Sequence, residues 1–271
     1  MKLIFLSTFL FAIPLMASGA SSCGNYLSES GLHEGICEEA QIDVSDKASL
    51  QRGAKLYMNY CFGCHSLKYA RFQRVSEDLG IPLDLFQENL IFGDQKIGDL
   101  MTIGMSSSDA KDWFGISPPD LTLETSLRGA DWLYTYLISF YLDDSRPLGV
   151  NNKVLKNVAM PNVLIDLQGE QNSTCREVSQ VASNGGFKQD PLTGELLTEE
   201  KCGFLEVEEG TGELTSIQFK TSMLDLTNFL AYMSDPIKEE REYIGKFVIL
   251  YLLIFTILSY LLYREFKKDL R

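Results

Sequence analysis

An uninterrupted apolar run near the end of the chain constrains the fold most strongly. Residues 247–263 contain no charged side chain, and extending the run back to Tyr243 adds only one, Lys246. The extended run has 21 residues. About 20 helical residues cross a hydrocarbon layer of roughly 30 Å. Tyrosines near both ends of the run suit the two membrane interfaces. The pattern therefore predicts a transmembrane helix over 243–263.

The two ends of the chain predict its orientation. Residues 264–271 hold four basic and two acidic side chains, which places them in the cytoplasm by the positive-inside rule. Residues 1–20 begin with Lys2, continue as an apolar run and end in small residues, the layout of a signal peptide. An uncleaved anchor helix is the alternative. The segment 21–242 is then predicted to be a periplasmic domain held at the inner membrane by a single helix.

The charge balance of the chain is acidic and unevenly distributed. The net charge of -13 argues against binding to nucleic acid, which requires a basic surface. Lys2, Lys246 and the tail account for six of the 24 Lys and Arg residues but only two of the 37 acidic ones, so segment 21–245 carries -17. Within it, residues 166–217 contain eleven acidic and three basic residues. This acidic stretch is either an ordinary solvated surface or a docking surface for a basic partner.

The motif that carries chemistry is Cys61-Phe-Gly-Cys64-His65. In Cys-x-x-Cys-His the two thiols can form thioethers to the haem vinyl groups, and the adjacent imidazole then lies below the iron. The motif predicts one covalently attached haem c with His65 as a metal ligand. A thioredoxin-type motif would follow a strand, a zinc site would need four ligands, and a structural disulfide would not require His65.

An electron-transfer haem needs a second axial ligand. Ligation by two histidines would have to use His33, which lies in a glycine-flanked segment. A methionine is the better candidate, and Met160 stands out because Pro161 stiffens the backbone immediately after it. The remaining candidates are methionines that could equally serve packing: Met58, Met101, Met105, Met223 and Met233.

Several further segments give the chain a strong resemblance to the cytochrome c1 family, of the bacterial type. They occur in the family's order, span most of residues 45–271 and are Cys61–Arg71, Ser117–Thr122, Leu127–Leu137, Ala159–Pro161 and Asp225–Pro236. The motif Cys-x-x-Cys-His alone marks any c-type cytochrome, whereas the ordered set is specific to this family.

The resemblance implies a role for individual residues. Cys61 and Cys64 would be the thioether attachments, and His65 and Met160 the axial ligands of the iron. The other expected cofactor contacts are a backbone carbonyl from Pro118 or Pro119 to the ring of His65, a propionate contact from Arg128, and packing by Trp132.

The resemblance also implies a function and partners. Met/His ligation raises the reduction potential of a haem. The family accepts an electron from a Rieske iron–sulfur subunit and passes it to a soluble or tethered cytochrome c, within a dimeric quinol-oxidising bc1 complex that includes cytochrome b. This chain would be an electron-transfer component of ubiquinol–cytochrome c reductase, without bond-making catalysis of its own.

Other functions remain open at this stage. The chain could be another membrane-tethered monohaem carrier, such as a terminal-oxidase subunit or a free carrier. A haem-based sensor and an anchored dithiol oxidoreductase are alternatives from different classes.

Four cysteines outside the motif depart from the usual family pattern. Cys175 and Cys202 lie in the acidic stretch 166–217, which is an insertion, and we expect them to form a disulfide. Cys23 and Cys37 could pair in the same way, and a lipid anchor on Cys23 is the alternative.

The expected fold is mainly α: a c-type cytochrome haem domain with loop-rich insertions and one C-terminal transmembrane helix. Within the insertion, Val207 and residues 214–217 could form a hairpin around Gly210-Thr-Gly212. The predicted helices of the haem domain lie near 49–64, 83–90, 130–141 and 224–233.

Overall fold

The structure, a computed structural model, describes residues 37–182 and 186–269. The chain divides into two compact units between Ser234 and Asp235. The predictions for residues 1–20, Cys23 and His33 fall outside the described residues.

The fold is mainly helical, as predicted, and helices account for about half of the described residues. The helices of the first unit are α1 (Lys47–Leu56), α2 (Phe72–Leu79), α3 (Leu83–Leu90), α4 (Ser107–Phe114), α5 (Glu124–Arg128), α6 (Ala130–Ile138), α7 (Ile165–Gln168) and α8 (Ser216–Ser234). Its strands form three separate antiparallel pairs: β1 (Leu67–Arg71) with β2 (Leu100–Met101), β3 (Phe140–Leu142) with β4 (Val150–Asn152), and β5 (Gln171–Ser179) with β6 (Thr198–Val207).

Helices α1 and α8 form the centre of the core. Asp46 is the N-cap of helix α1. Its carboxylate accepts hydrogen bonds from the backbone N–H groups of Ala48 and Ser49 at 3.0 and 3.1 Å. Leu50 and Ala54 are buried on one face of the helix at a spacing of four residues. The partner helix α8 buries a larger apolar set, Phe219, Met223, Leu226, Phe229 and Leu230. The first and last helices of the unit therefore enclose one hydrophobic core.

A polar contact joins the same two helices. The carboxylate of Asp225 accepts hydrogen bonds from Nε of Arg52 at 2.6 Å, from a terminal nitrogen of Arg52 at 2.8 Å and from Oγ of Ser49 at 2.7 Å. Both carboxylate oxygens of this buried side chain therefore accept hydrogen bonds, as buried polar groups generally do. The Asp225 hydrogen bond raises the pKa of Arg52.

The predicted helix 49–64 changes its geometry before the haem-attachment motif. Helix α1 ends at Leu56, and Tyr57–Cys61 form a π-helical turn, closed by a 2.9 Å hydrogen bond from Phe62 N to the carbonyl oxygen of Tyr57. The buried hydroxyl of Tyr57 donates to the carbonyl oxygen of His65 at 2.5 Å. This long-range bond ties the widened turn to the end of the motif, which helical periodicity alone does not predict.

The other predicted helices have corrected bounds. The prediction 83–90 matches α3, whereas α6 covers 130–138 because β3 begins at Phe140. Helix α8 starts eight residues before the predicted position 224.

The hairpin predicted around Gly210-Thr-Gly212 is wrong. The long hairpin of the insertion pairs β5 with β6 instead. Thr215 N donates to Oε1 of Gln218 at 3.0 Å, and Gln218 N donates to Oγ1 of Thr215 at 3.4 Å. This reciprocal capping box starts α8 at Ser216 and removes residues 216 and 217 from any strand. Gly212 instead allows a close approach of two backbone segments, because a Cβ built on it would lie 2.5 Å from Gly169 N.

The expected disulfide Cys175–Cys202 is confirmed, and it links directly paired positions of β5 and β6. Cys37 is also disulfide-bonded. Its expected partner, Cys23, lies outside the described residues.

The second unit contains α9 (Lys238–Asp269), a 32-residue helix that includes the whole apolar run. It is long and apolar enough to cross a membrane, and its apolar side chains are exposed. The prediction of one C-terminal transmembrane helix is confirmed, with the helix extending beyond 243–263 on both sides.

Candidate functional site

One cleft in the first unit brings together every site residue predicted from the sequence. It is lined mainly by apolar side chains with a few polar groups among them, as binding sites for organic cofactors generally are. The predicted residues that line it are Cys61, Cys64, His65, Pro118, Pro119, Arg128, Trp132 and Met160. Apolar side chains from α6, α8 and the loop around Met160 supply most of the remaining lining.

The Cys-x-x-Cys-His motif forms a compact turn in the cleft. The backbone N–H groups of Cys64 and His65 both donate to the carbonyl oxygen of Cys61, at 3.0 and 2.9 Å. Both cysteines are free thiols, although only two residues separate them. Burial raises the pKa of Cys61 to about 12, so it is a protonated thiol at neutral pH.

The ring of His65 is oriented by a backbone carbonyl. Its Nδ1 lies 2.7 Å from the carbonyl oxygen of Pro119, so of the two proline candidates Pro119 makes the contact. Because a carbonyl can only accept, Nδ1 carries the proton and the lone pair is on Nε2. Burial lowers the pKa of His65, against the opposing effect of the Pro119 hydrogen bond, which favours the neutral ring that a metal requires.

Two hydrogen bonds hold the segment that carries Pro119 beside the motif. Leu121 N donates to the carbonyl oxygen of Ser66 at 2.9 Å, and Lys68 N donates to Oδ2 of Asp120 at 2.8 Å. The residues that follow Pro-Pro thus run alongside the residues that follow His65. This pairing explains how a segment more than 50 residues away supplies the carbonyl.

Met160 lies in a loop that two buried asparagines organise. The side-chain oxygen of Asn152 accepts from Val154 N at 2.9 Å and Leu155 N at 3.2 Å, while its Nδ2 donates to the carbonyl oxygen of Tyr136 at 2.8 Å. The side-chain oxygen of Asn151 accepts from Asn157 N at 2.9 Å. These bonds fix the backbone that leads to Met160.

The rival methionines do not line the cleft. Met58, Met101, Met223 and Met233 are buried core residues, and Met105 is half-buried elsewhere. Among the described residues, Met160 is therefore the methionine placed with the motif.

Arg128 and Trp132 lie one above the other at the wall of the cleft. Nε of Arg128 is 3.0 Å from Oε1 of Glu124, and the guanidinium carbon lies 4.4 Å from the centre of the Trp132 ring. The first contact follows from a spacing of four residues along α5, whereas the second crosses Gly129, which lies between α5 and α6. They hold a cationic group at the cleft.

The donor set fits a covalently attached haem. Two unbridged thiols, an imidazole with its Nε2 lone pair available and a thioether line one apolar cleft, and a guanidinium lies at its wall. Cys and His side chains at this spacing serve attachment and axial ligation, and methionine is a common second axial ligand.

Sequence reasoning missed the residues that support the site. Asn151 and Asn152 belong to no motif, and a buried asparagine is indistinguishable from a surface one in a single sequence. Tyr136 lies in the segment Leu127–Leu137, but nothing in that segment marks its hydroxyl as part of the site. The doublet Asn-Asn shortly before Met160 is the one signal, since asparagine often bonds to nearby backbone groups in turns.

The chain is similar to proteins of known families over nearly its whole length. The model of the Cytochrome C1 family matches residues 38–89, which include the haem-attachment motif. A protein named cytochrome c1 from Allochromatium vinosum is 46% identical over 271 residues, covering 99% of each chain.

Two further relatives are more distant. A protein named ammonia monooxygenase gamma subunit, from Nitrosomonas europaea, is 37% identical over 90% of this chain and 93% of its own length. A cytochrome b/c1 from Bradyrhizobium diazoefficiens is 25% identical over 92% of this chain but only 38% of its own length.

Proposed function

The chain belongs to the cytochrome c1 family, and from that premise we propose that it is the membrane-anchored haem subunit of a bc1-type quinol-oxidising complex. In this role it accepts one electron from a Rieske iron–sulfur subunit and passes it to a soluble or tethered cytochrome c. Cytochrome b supplies the quinone site, and the complex is dimeric. This chain is an electron-transfer component of the reductase and breaks no covalent bond of a substrate.

One observation carries the proposal: the cleft that holds Cys61, Cys64, His65 and Met160 together. A dithiol enzyme needs its two thiols and a path to a substrate, but it has no use for a thioether and a carbonyl-oriented imidazole in the same apolar cleft. A sensor needs an open coordination position, which Met160 would occupy.

The chain's own residues would hold a single haem c. Cys61 and Cys64 would hold it through thioether bonds to its two vinyl groups. His65 would offer Nε2 and Met160 Sδ to the iron, and Arg128 would balance a propionate charge. When bound, the haem supplies a one-electron iron couple.

The surrounding residues set the conditions for that couple. Pro119 fixes the tautomer and orientation of His65, as partners of metal-bound histidines generally do. The lining of the cleft is mainly apolar, and a low local dielectric is one of the means by which a protein tunes a haem potential.

The membrane arrangement is part of the proposal. Residues 1–20 are removed as a signal peptide, segment 21–242 lies in the periplasm, and residues 264–271 are cytoplasmic. Support comes from the basic end of α9, where Arg264, Lys267 and Lys268 follow the apolar run.

Covalent haem attachment is tested directly on the full chain purified from membranes. Acid–acetone should leave the haem on the protein, and the reduced protein should be low-spin and should not bind CO. A Cys61→Ala/Cys64→Ala variant should release whatever haem it binds. Haem extracted from the parent protein would contradict the attachment, and CO binding would contradict Met160 ligation.

The complex is tested by purification in a mild detergent. Cytochrome b and a Rieske protein should co-purify with a tagged chain in fixed proportion. Purification alone, or with oxidase subunits, would favour another membrane-tethered monohaem carrier.

The electron acceptor is tested by stopped-flow oxidation at increasing ionic strength. If a basic cytochrome c docks on the acidic domain, the second-order rate constant should fall steeply with salt. A rate independent of salt would argue against electrostatic steering.

A further inference from the structure

A tyrosine hydroxyl in the cleft bonds to the predicted ligand sulfur. The hydroxyl of Tyr136 lies 3.4 Å from Sδ of Met160, within hydrogen-bond distance for a sulfur acceptor. A thioether sulfur has no hydrogen to donate, so Tyr136 is the donor. The contact joins α6 to the Met160 loop across 24 residues of sequence.

The ring of Tyr136 is held on two sides. It stacks on Trp132 with ring centres 5.2 Å apart and planes 7° from parallel, and Phe140 packs against it edge-on at 5.1 Å. Its backbone carbonyl accepts from Nδ2 of Asn152, the residue that also organises the Met160 loop. The hydroxyl and the sulfur are therefore positioned by one connected set of contacts.

The side chain of Tyr136 is buried in the cleft wall. Because the ring is confined between Trp132 and Phe140, replacing it by phenylalanine removes the hydroxyl without leaving a large cavity.

We propose that Tyr136 is a positioning residue for Met160, whose hydroxyl holds the sulfur as an axial ligand and raises the reduction potential of the haem. The inference rests on the proposed function, because it takes Met160 to be a ligand. A donated hydrogen bond withdraws electron density from the sulfur, which makes it a weaker donor. The ferric iron depends on that donation more than the ferrous iron does, so the bond favours the reduced state.

The test is a potentiometric titration of the full-length, haem-loaded Tyr136→Phe variant. Loss of a hydrogen bond to a metal ligand typically changes metal binding about tenfold. A tenfold change in the ferric-to-ferrous ratio corresponds to about 59 mV for one electron. We expect the potential to fall by this order. CO binding by the variant would also support the proposal, because it would show that the sulfur is no longer held.

Tyr134→Phe is the matched control. Tyr134 is on the same helix and equally buried at 8% exposure, but it does not line the cleft. Its potential should equal that of the parent. An unchanged or raised potential in Tyr136→Phe, or an equal fall in Tyr134→Phe, would overturn the inference.

A Met160→Leu variant distinguishes a wrong role for Tyr136 from a wrong assignment of Met160 as an iron ligand. If its haem binds CO while Tyr136→Phe retains the parent potential, only the role of Tyr136 is wrong. If its spectrum and potential equal those of the parent, Met160 is not a ligand, and both the assignment and the inference fall.

Discussion

Gly53 of α1 lies directly against the backbone of Asp225 in α8. A Cβ built on Gly53 would lie 2.1 Å from the carbonyl oxygen of Asp225 and 2.7 Å from Cβ of Phe229. The absence of a side chain at position 53 therefore sets how closely the two central helices approach. Since α8 also lines the cleft through Leu226 and Leu230, this approach helps to shape the site.

Gly53→Ala should destabilise the protein although alanine is the better helix former. Alanine gains about 1 kcal/mol of helix propensity. The clash involves backbone atoms that cannot rotate away, so we expect a net loss of about 1–3 kcal/mol in the free energy of unfolding. Thermal unfolding followed by circular dichroism measures it. Gly98→Ala is the control, because its Cβ would meet nothing within 4 Å. Equal melting temperatures for the two variants would contradict the packing argument.

Asp225→Asn should also weaken the α1–α8 contact. The amide would present N–H donors to the guanidinium of Arg52, so at least one of the bonds at 2.6 and 2.8 Å is lost. We expect a decrease of about 1–3 kcal/mol in the free energy of unfolding, measured in denaturant. The control is Arg176→Gln, which breaks the exposed pair with Glu206 and should change stability by less than about 1 kcal/mol. A larger effect for the exposed pair would refute the ranking.

Asn152→Ala should loosen Met160 as well as lower stability. The variant leaves Val154 N and Leu155 N without their partner and removes one of the donors to the carbonyl oxygen of Tyr136, at a cost of about 1–3 kcal/mol. We expect the reduced, haem-loaded variant to bind CO, unlike the parent. Asn89→Ala removes an exposed asparagine that bonds to its own helix, and it should leave both stability and CO exclusion intact. Retained CO exclusion in Asn152→Ala would show that the loop does not depend on this side chain.

Removing the disulfide should affect the hairpin and spare the haem. A Cys175→Ser/Cys202→Ser variant opens the 28-residue loop and gives the unfolded chain more conformational entropy. On the chain-entropy model this lowers the free energy of unfolding by about 3–4 kcal/mol. Trypsin should cut faster after Lys188, an exposed residue between the strands. The absorption spectrum should not change, because β5 and β6 do not line the cleft. An altered spectrum would mean that the hairpin supports the site.

Much of the site could be predicted from the sequence because many of its residues belong to short sequence motifs. Cys-x-x-Cys-His predicts attachment and one ligand within five residues, Pro161 favoured Met160 as the second ligand, and the family resemblance added Arg128, Trp132 and the Pro-Pro segment. The structure brings all of them to one cleft. The supporting contacts of Tyr136 and Asn152 join distant segments, and no local pattern marks them.

The wrong hairpin prediction also arose because a local pattern does not reveal which contacts the segment makes. Residues 214–217 look like a strand by composition, yet Thr215 and Gln218 form a cap, and the chain enters α8. Short apolar segments permit both helix and strand, and a few capping hydrogen bonds decide between them.

The sequence by itself determined the transmembrane helix, the Cys-x-x-Cys-His motif and the helical class of the domain. Each depends on composition or spacing within about 20 residues, where local physical chemistry is sufficient. Only the tertiary structure decided which proline carbonyl meets His65, which methionine shares the cleft, and that a tyrosine hydroxyl bonds to its sulfur. Those outcomes depend on the free energy of packing segments that are at least 24 residues apart in the chain, and more than 50 apart for His65 and Pro119. That packing energy is a property of the assembled core and of no single segment.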